Sequence, residues 1–96
     1  MNRFEDPDYL EWAKQVKERD NYHCQLCSQG FQLHSHHLNG WNLFIDQRYD
    51  IDNGITLCRQ CHDHFHLMFQ KGGNTKYQFE QFRQIYKLFE KIIKKG

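Results

Sequence analysis

Apolar positions along the chain change spacing in a way that predicts three helices and two short strands. After Asp6-Pro7, an N-cap followed by proline at the first helical position, Tyr9, Trp12, Ala13 and Val16 recur at i, i+3, i+4 and i+7. They form the apolar face of a helix that ends near Asp20-Asn21, with Glu11, Lys14, Gln15, Lys17 and Glu18 on its polar face. Residues 22–30 read as a turn-rich stretch, and residues 31–38 as a strand whose apolar members are Phe31, Leu33 and Leu38. A loop carrying Trp41, Phe44 and Tyr49 follows over residues 39–50. Asp52-Asn53-Gly54 is a turn signal, Ile55-Thr56-Leu57 a brief second strand, and residues 59–70 a helix stopped by Gly72-Gly73. Thr75 and Gln78 make a capping box, after which Phe79, Phe82, Tyr86, Phe89 and Ile93 alternate spacings of three and four. Ile85, Leu88 and Ile92 widen that stripe. It reads as core packing against Trp12 and Val16, with a partner surface as the alternative.

Ninety-six residues make a single domain, 1–96, with little apolar surface to spare for stability. Aromatic residues are 16% of the chain, so a folded, ring-rich core is expected, and one of this size wants a staple. No internal repeat, low-complexity linker or apolar run long enough for a membrane span is present. The polar, acidic start is unlike a secretory signal, which makes a reducing cytoplasm the expected compartment; the expected state is a monomer. The net charge of +1 points to no partner, although bound divalent ions would raise it.

Cys24-x2-Cys27 and Cys58-x2-Cys61 are two identical knuckles. A two-residue gap lets both sulfurs of a knuckle approach one ion, and two knuckles complete a tetrahedron around zinc. Two disulfides would suit an oxidising compartment, and a redox dithiol would need one pair in a βαβ context. Four thiolates leave no open position, so the zinc would be structural. It would clamp the ends of the long segment between Cys27 and Cys58, which carries His34, His36, His37 and Asn53.

His62 and His66, four apart on the predicted helix, project from one face and can share a metal. His36 and His37 are neighbours on a strand, so they point to opposite faces, an arrangement that suits one ligand and one nearby base. His34 lies on the face of His36 and could support or replace a ligand, while His23 and His64 read as surface positions. Asn53 precedes a glycine, and Asn-Gly is also the commonest tight-turn dipeptide.

Together, residues 33–37 (Leu-His-Ser-His-His), residues 52–62 (Asp-Asn-Gly-Ile-Thr-Leu-Cys-Arg-Gln-Cys-His) and His66 resemble the signature of HNH endonucleases in its four-cysteine form. The lead-in from Trp12 to Cys27 and the tail through Phe82 are similar to small phage-type members, so the resemblance runs along nearly the whole chain. It implies an α+β fold, a ββα-metal (His-Me finger) core stapled by the four-cysteine zinc and flanked by N- and C-terminal helices. By position it implies His37 as general base, Asn53 as the residue that orients it, and His36 and His62 as ligands of a catalytic divalent ion. His66 matches a third ligand found in colicin-type members. The implied activity is metal-dependent hydrolysis of DNA phosphodiesters, by nicking or double-strand cleavage, in a bacterial or phage-infected host cell.

A neutral imidazole can take a proton from water near pH 7, and a carbonyl near Asn53, or its amide, would hold the ring. An all-imidazole site suits Zn, Ni, Co or Mn better than Mg, though water and phosphate oxygens keep Mg open. Arg48, Arg59, Lys71 and Lys76 flank the site as candidate DNA-backbone contacts, while Lys87, Lys91, Lys94 and Lys95 read as a solvated face. Weak sequence preference is expected, with targeting left to a partner; by analogy with small phage-type members this would be a packaging protein such as a terminase. The rival readings are a non-catalytic zinc-stapled nucleic-acid-binding module, which leaves the histidines as coincidence, and a metal-binding adaptor.

Overall fold

A computed structural model describes residues 2–95, with side chains through Ile92. The side chains of Ile93, Lys94 and Lys95, to which the sequence assigns a place in the stripe and on a solvated face, lie outside the described residues. Helix α1 runs Pro7–Arg19, strand β1 Leu33–His37, strand β2 Gly54–Cys58, helix α2 Arg59–Met68 and helix α3 Lys76–Lys95. The two strands pair antiparallel, from Leu33 opposite Cys58 to His37 opposite Gly54. Two strands and three helices make a small α+β fold with the ββα order of the HNH core.

Local chemistry explains the element ends. The Asp6 carboxylate accepts from the Asp8 N–H and caps α1, with Pro7 at its first position. Thr75 and Gln78 exchange backbone-to-side-chain hydrogen bonds of 3.1 and 3.2 Å, which is the capping box expected before α3. Strand β1 is shorter than residues 31–38 because Gln32 sits at φ 53, which breaks the extended run and leaves Phe31 exposed. Likewise α2 stops at Met68, two residues before Gln70, and Gly72 and Gly73 follow at φ 84 and 65.

The sheet has a cluster on each face. On one, Leu38, Ile55, Leu57, Phe65, Phe79 and Phe82 pack with Cys24, Cys58 and Cys61. On the other, α1 lays Tyr9, Trp12, Ala13 and Val16 down, all four buried. The Ser35 hydroxyl donates to the Ala13 carbonyl at 2.7 Å, and the Trp12 indole donates to the Asp50 carbonyl at 2.7 Å. The α3 stripe therefore does not meet Trp12 and Val16, as its apolarity suggested. Phe79 and Phe82 pack on Phe65 instead, with the sheet between them and α1, and Phe89 is open to solvent.

Gly54 is a second departure from the sequence reading. Its backbone is extended, at φ −130 and ψ 153, so it opens β2 and is not a turn glycine. What it supplies is room, because a Cβ there would lie 2.5 Å from Val16 Cγ2 and 2.6 Å from Trp12 Cζ2. Gly54→Ala should destabilise the fold by about 1–3 kcal/mol through overpacking, read from denaturant unfolding.

Asp20 closes the far end of α1 against β2. Its carboxylate accepts from the Thr56 N–H at 2.9 Å and from Arg19, whose guanidinium also reaches the Ile51 and Gly54 carbonyls. Burial pushes the Asp20 pKa up, but Arg19 and the Thr56 bonds outweigh it and hold the group below the ordinary 3.8. A folded pKa below the unfolded one contributes stability that is present above the unfolded value and lost as pH falls through the folded one. Asp20→Asn should thus cost roughly 1–2 kcal/mol at neutral pH and flatten the acid limb of stability below about pH 4, followed by circular dichroism.

Candidate metal centres and the adjoining cavity

Cys24 and Cys27 sit in a tight turn, where the Ser28 N–H donates to the Cys24 carbonyl at 2.9 Å and the Cys24 N–H to the Gln29 carbonyl at 2.8 Å. The Gln25 N–H donates to the Thr56 carbonyl, which ties this knuckle to β2. Cys58 ends β2 and its sulfur caps α2, accepting from the Cys61 N–H at 3.4 Å. All four sulfurs lie within 4.8 Å of one another, and Cys27 and Cys58 are 3.5 Å apart. Sulfurs about 2.3 Å from one ion at tetrahedral corners would stand roughly 3.8 Å apart, so the cluster fits a metal such as zinc. Three of the four cysteines are buried, and the hydrogen bond between Cys24 and Cys61 pulls the Cys24 thiol down while it pushes Cys61 up.

The imidazoles of His36, His62 and His66 form a second group, again with one donor nitrogen each inside a 4.8 Å span. His36 comes from β1, while His62 and His66 share one face of α2, their ring centroids 4.6 Å apart. Nε2 of His36 and Nδ1 of His66 are buried without a hydrogen-bond partner. Each such orphan costs about 1–3 kcal/mol, a cost a cation between them would relieve. Burial, and the repulsion that neighbouring imidazoles exert once protonated, press His36 down to about 3 and His62 down to about 4, and burial lowers His66 as well. All three rings are accordingly neutral at pH 7, the form that donates to a metal. His34 lies outside this group; it stacks on His62 at 5.2 Å and 16°.

His37 turns to the other face of β1, where its ring stacks on Trp12 at 3.8 Å and 11°, with Trp41 edge-on at 5.5 Å. Its Nε2 meets the Arg48 carbonyl at 2.8 Å. A carbonyl only accepts, so Nε2 carries the proton and Nδ1 keeps its lone pair. Burial lowers the His37 pKa, aided by the charges of Arg3 and Arg48 and opposed by the bond to the carbonyl. His36, His37, His62 and His66 all border one cavity of about 280 Å³. Arg3, Lys71, Trp41 and Asn74 are among its other lining residues, and none of the described lining residues is acidic.

The Asn53 side chain spends its hydrogen bonds on Asn39 and Gln47, and none of them goes to His37. Its Oδ1 accepts from the Asn39 N–H at 2.8 Å, and its Nδ2 donates to the Asn39 and Gln47 backbone carbonyls at 2.9 and 3.1 Å. Buried at the end of the loop, it pins both limbs and so sets the carbonyl that holds His37. Arg48 completes the brace, donating from Nε to the Trp41 carbonyl at 2.9 Å with its guanidinium 4.4 Å from that ring. Arg48 is therefore engaged within the loop; Lys71 lines the cavity, Arg59 is exposed beside Asp63, and Lys76 is exposed at the start of α3.

Sequence reasoning missed Arg3, Asn39 and Asn74. Asn39 joins loop to helix, since its side-chain Oδ1 accepts from the Lys76 N–H at 2.7 Å, and the Asn74 backbone carbonyl accepts from the Gly40 N–H. No local pattern marks such residues, because their partners lie far along the chain. Asn53→Ala should cost about 2–3 kcal/mol by stranding the Asn39 and Gln47 groups, with Asn53→Asp intermediate, both measured by thermal unfolding.

Comparison with curated proteins and with solved structures returns no significant match. A family model described as HNH endonuclease matches residues 24–66, which run from the first knuckle to the last histidine of the cavity. Over those residues the chain is similar to the HNH endonuclease family.

Proposed function

We propose that the protein is a metal-dependent endonuclease that hydrolyses DNA phosphodiesters, with His37 as general base. The observation that carries this reading is the pairing of two arrangements on one cavity. Three neutral imidazoles converge on a point, and a fourth is held in one tautomer beside them. A divalent cation held by His36, His62 and His66 would supply Lewis-acid relief of charge on the phosphate and the leaving 3′ oxygen.

The protein's own groups do the remaining work. Arg48's carbonyl fixes the His37 ring through Nε2, leaving Nδ1 to take a proton from the attacking water. Trp12 under the ring prevents it from tilting, and Asn53 acts as a positioning residue for the loop that bears Arg48. Arg3 and Lys71 give an anionic backbone positive neighbours in a cavity without carboxylates. The four-cysteine site would hold zinc and perform no chemistry, since four thiolates fill its coordination. A non-catalytic zinc-stapled module would share the cysteines but would give no reason for the orphaned nitrogens of His36 and His66.

Plasmid cleavage with added Mn, Ni or Mg tests the proposal. Wild type should nick or linearise DNA, and His37→Ala should lose roughly 10²-fold or more while staying folded. Metal analysis after loading should find one zinc that resists mild chelation and a second divalent ion that leaves, with His62→Ala lacking only the second. Folded wild-type protein that never cuts DNA with any of these metals would sink the enzymatic reading.

A further inference from the structure

The distal half of α3 has no core of its own to rest on. Phe79 and Phe82 are buried, yet Ile85, Leu88, Phe89 and Ile92 on the same broad stripe stand open, and α2 adds Leu67 and Met68. Their exposures run from 43% at Ile85 to 84% at Leu67. Between α2 and the far half of α3 lies a groove of about 630 Å³, in which the buried Cys61 and Phe82 take part.

We propose that this groove seats a second copy of the chain, with the two α3 helices packed antiparallel about a two-fold axis near Tyr86. Three observations favour this occupant. The first is area. Six large apolar side chains exposed to this degree offer on the order of 100 Å² each or more, which approaches the roughly 800 Å² per partner of a standard interface. Monomers rarely leave so much contiguous apolar surface open.

The second is the repeat. Spacings of three and four from Phe79 through Ile93 make the seam of a helix that packs against another helix. Among the described residues this chain's own core takes Phe79 and Phe82, with Tyr86 packed partly against it, and Phe89 is left for a partner helix. A ridge at Phe89 and Ile92 beside a groove on the same face is what an isologous contact requires, because each copy then supplies the filler for the other.

The third is charge. Arg83 and Glu90 are seven residues apart, so they lie along one edge of the stripe with opposite signs. Antiparallel pairing about positions 86 and 87 sets Arg83 of each copy beside Glu90 of the other, whereas a parallel pairing would place like charges together. The protein is then a dimer, in place of the monomer its sequence suggests.

Sedimentation velocity and light scattering on the full, zinc-loaded chain test this directly. A concentration-dependent dimer should appear by on the order of 100 μM. Phe89→Glu should weaken it at least tenfold with helicity and zinc content unchanged; Ile92→Glu, farther from the core, serves as a second variant should Phe89→Glu unfold. Arg83→Glu should weaken the dimer severalfold, and adding Glu90→Arg should restore it. A chain that stays monomeric, including one whose face instead captures another kind of partner, overturns the proposal. So does a dimer indifferent to both apolar substitutions, while failure of the charge swap to rescue overturns the antiparallel register.

Discussion

Everything in this molecule depends on holding together the two ends of one segment. A two-stranded sheet is marginal in water by itself, and here the strands are only five residues each with a long loop between them. The cysteine cluster joins the turn before β1 to the end of β2, and its last member lies inside α2. A metal held there would fix the start of the sheet, the start of α2 and the ladder pairing of Leu33 with Cys58. The sulfur of Cys58 is both a cluster member and the cap of α2, so strand, helix and clamp share a single residue. From that point α2 can go in only one direction, and His62 and His66 are carried to face β1.

Strand geometry then does what a helix could not. Consecutive residues on β1 face opposite ways, so His36 joins the two α2 imidazoles while His37 turns to Trp12 on α1. The site sits where the sheet ends, and for this reason both faces can border one cavity. The two environments also differ in their polar partners. His36 has a buried nitrogen with no acceptor or donor in reach, whereas the ring of His37 is satisfied on one side by a carbonyl. Such a contrast between adjacent residues follows from the pleat, with no need for a special backbone conformation at either.

Much of this was legible in the sequence because the relevant signals are local. Two knuckles of fixed gap, two histidines four apart, a capping box and the Tyr9-Trp12-Ala13-Val16 stripe each name their own geometry within a few residues. Contacts between distant segments were not legible. Asn53 looked like half of a turn signal, and its role became visible only when its three hydrogen bonds were found on Asn39 and Gln47. Gly54 looked like the other half, yet it is glycine because Val16 and Trp12 press against it. The α3 stripe announced burial without saying where, since amphipathicity gives a face and never a partner. The sheet lies between α3 and α1, which pairs Phe82 with Phe65 and leaves Trp12 and Val16 to the opposite cluster.

The charge count needs the same spatial reading. A net charge of +1 argues against a protein made to bind a polyanion, if charge is taken as spread evenly. Around the cavity it is not. Arg3 and Lys71 line it, three imidazoles there are neutral, and the described lining residues include no acid. A carboxylate-rich site would offset much of a bound cation's charge, whereas imidazoles leave all of it to be felt by an incoming anion. Attraction for a phosphate would thus be concentrated at the point where the three imidazoles converge. On the proposed reading, that local field would draw a polyanionic chain to this cavity in preference to the rest of a small and nearly neutral surface.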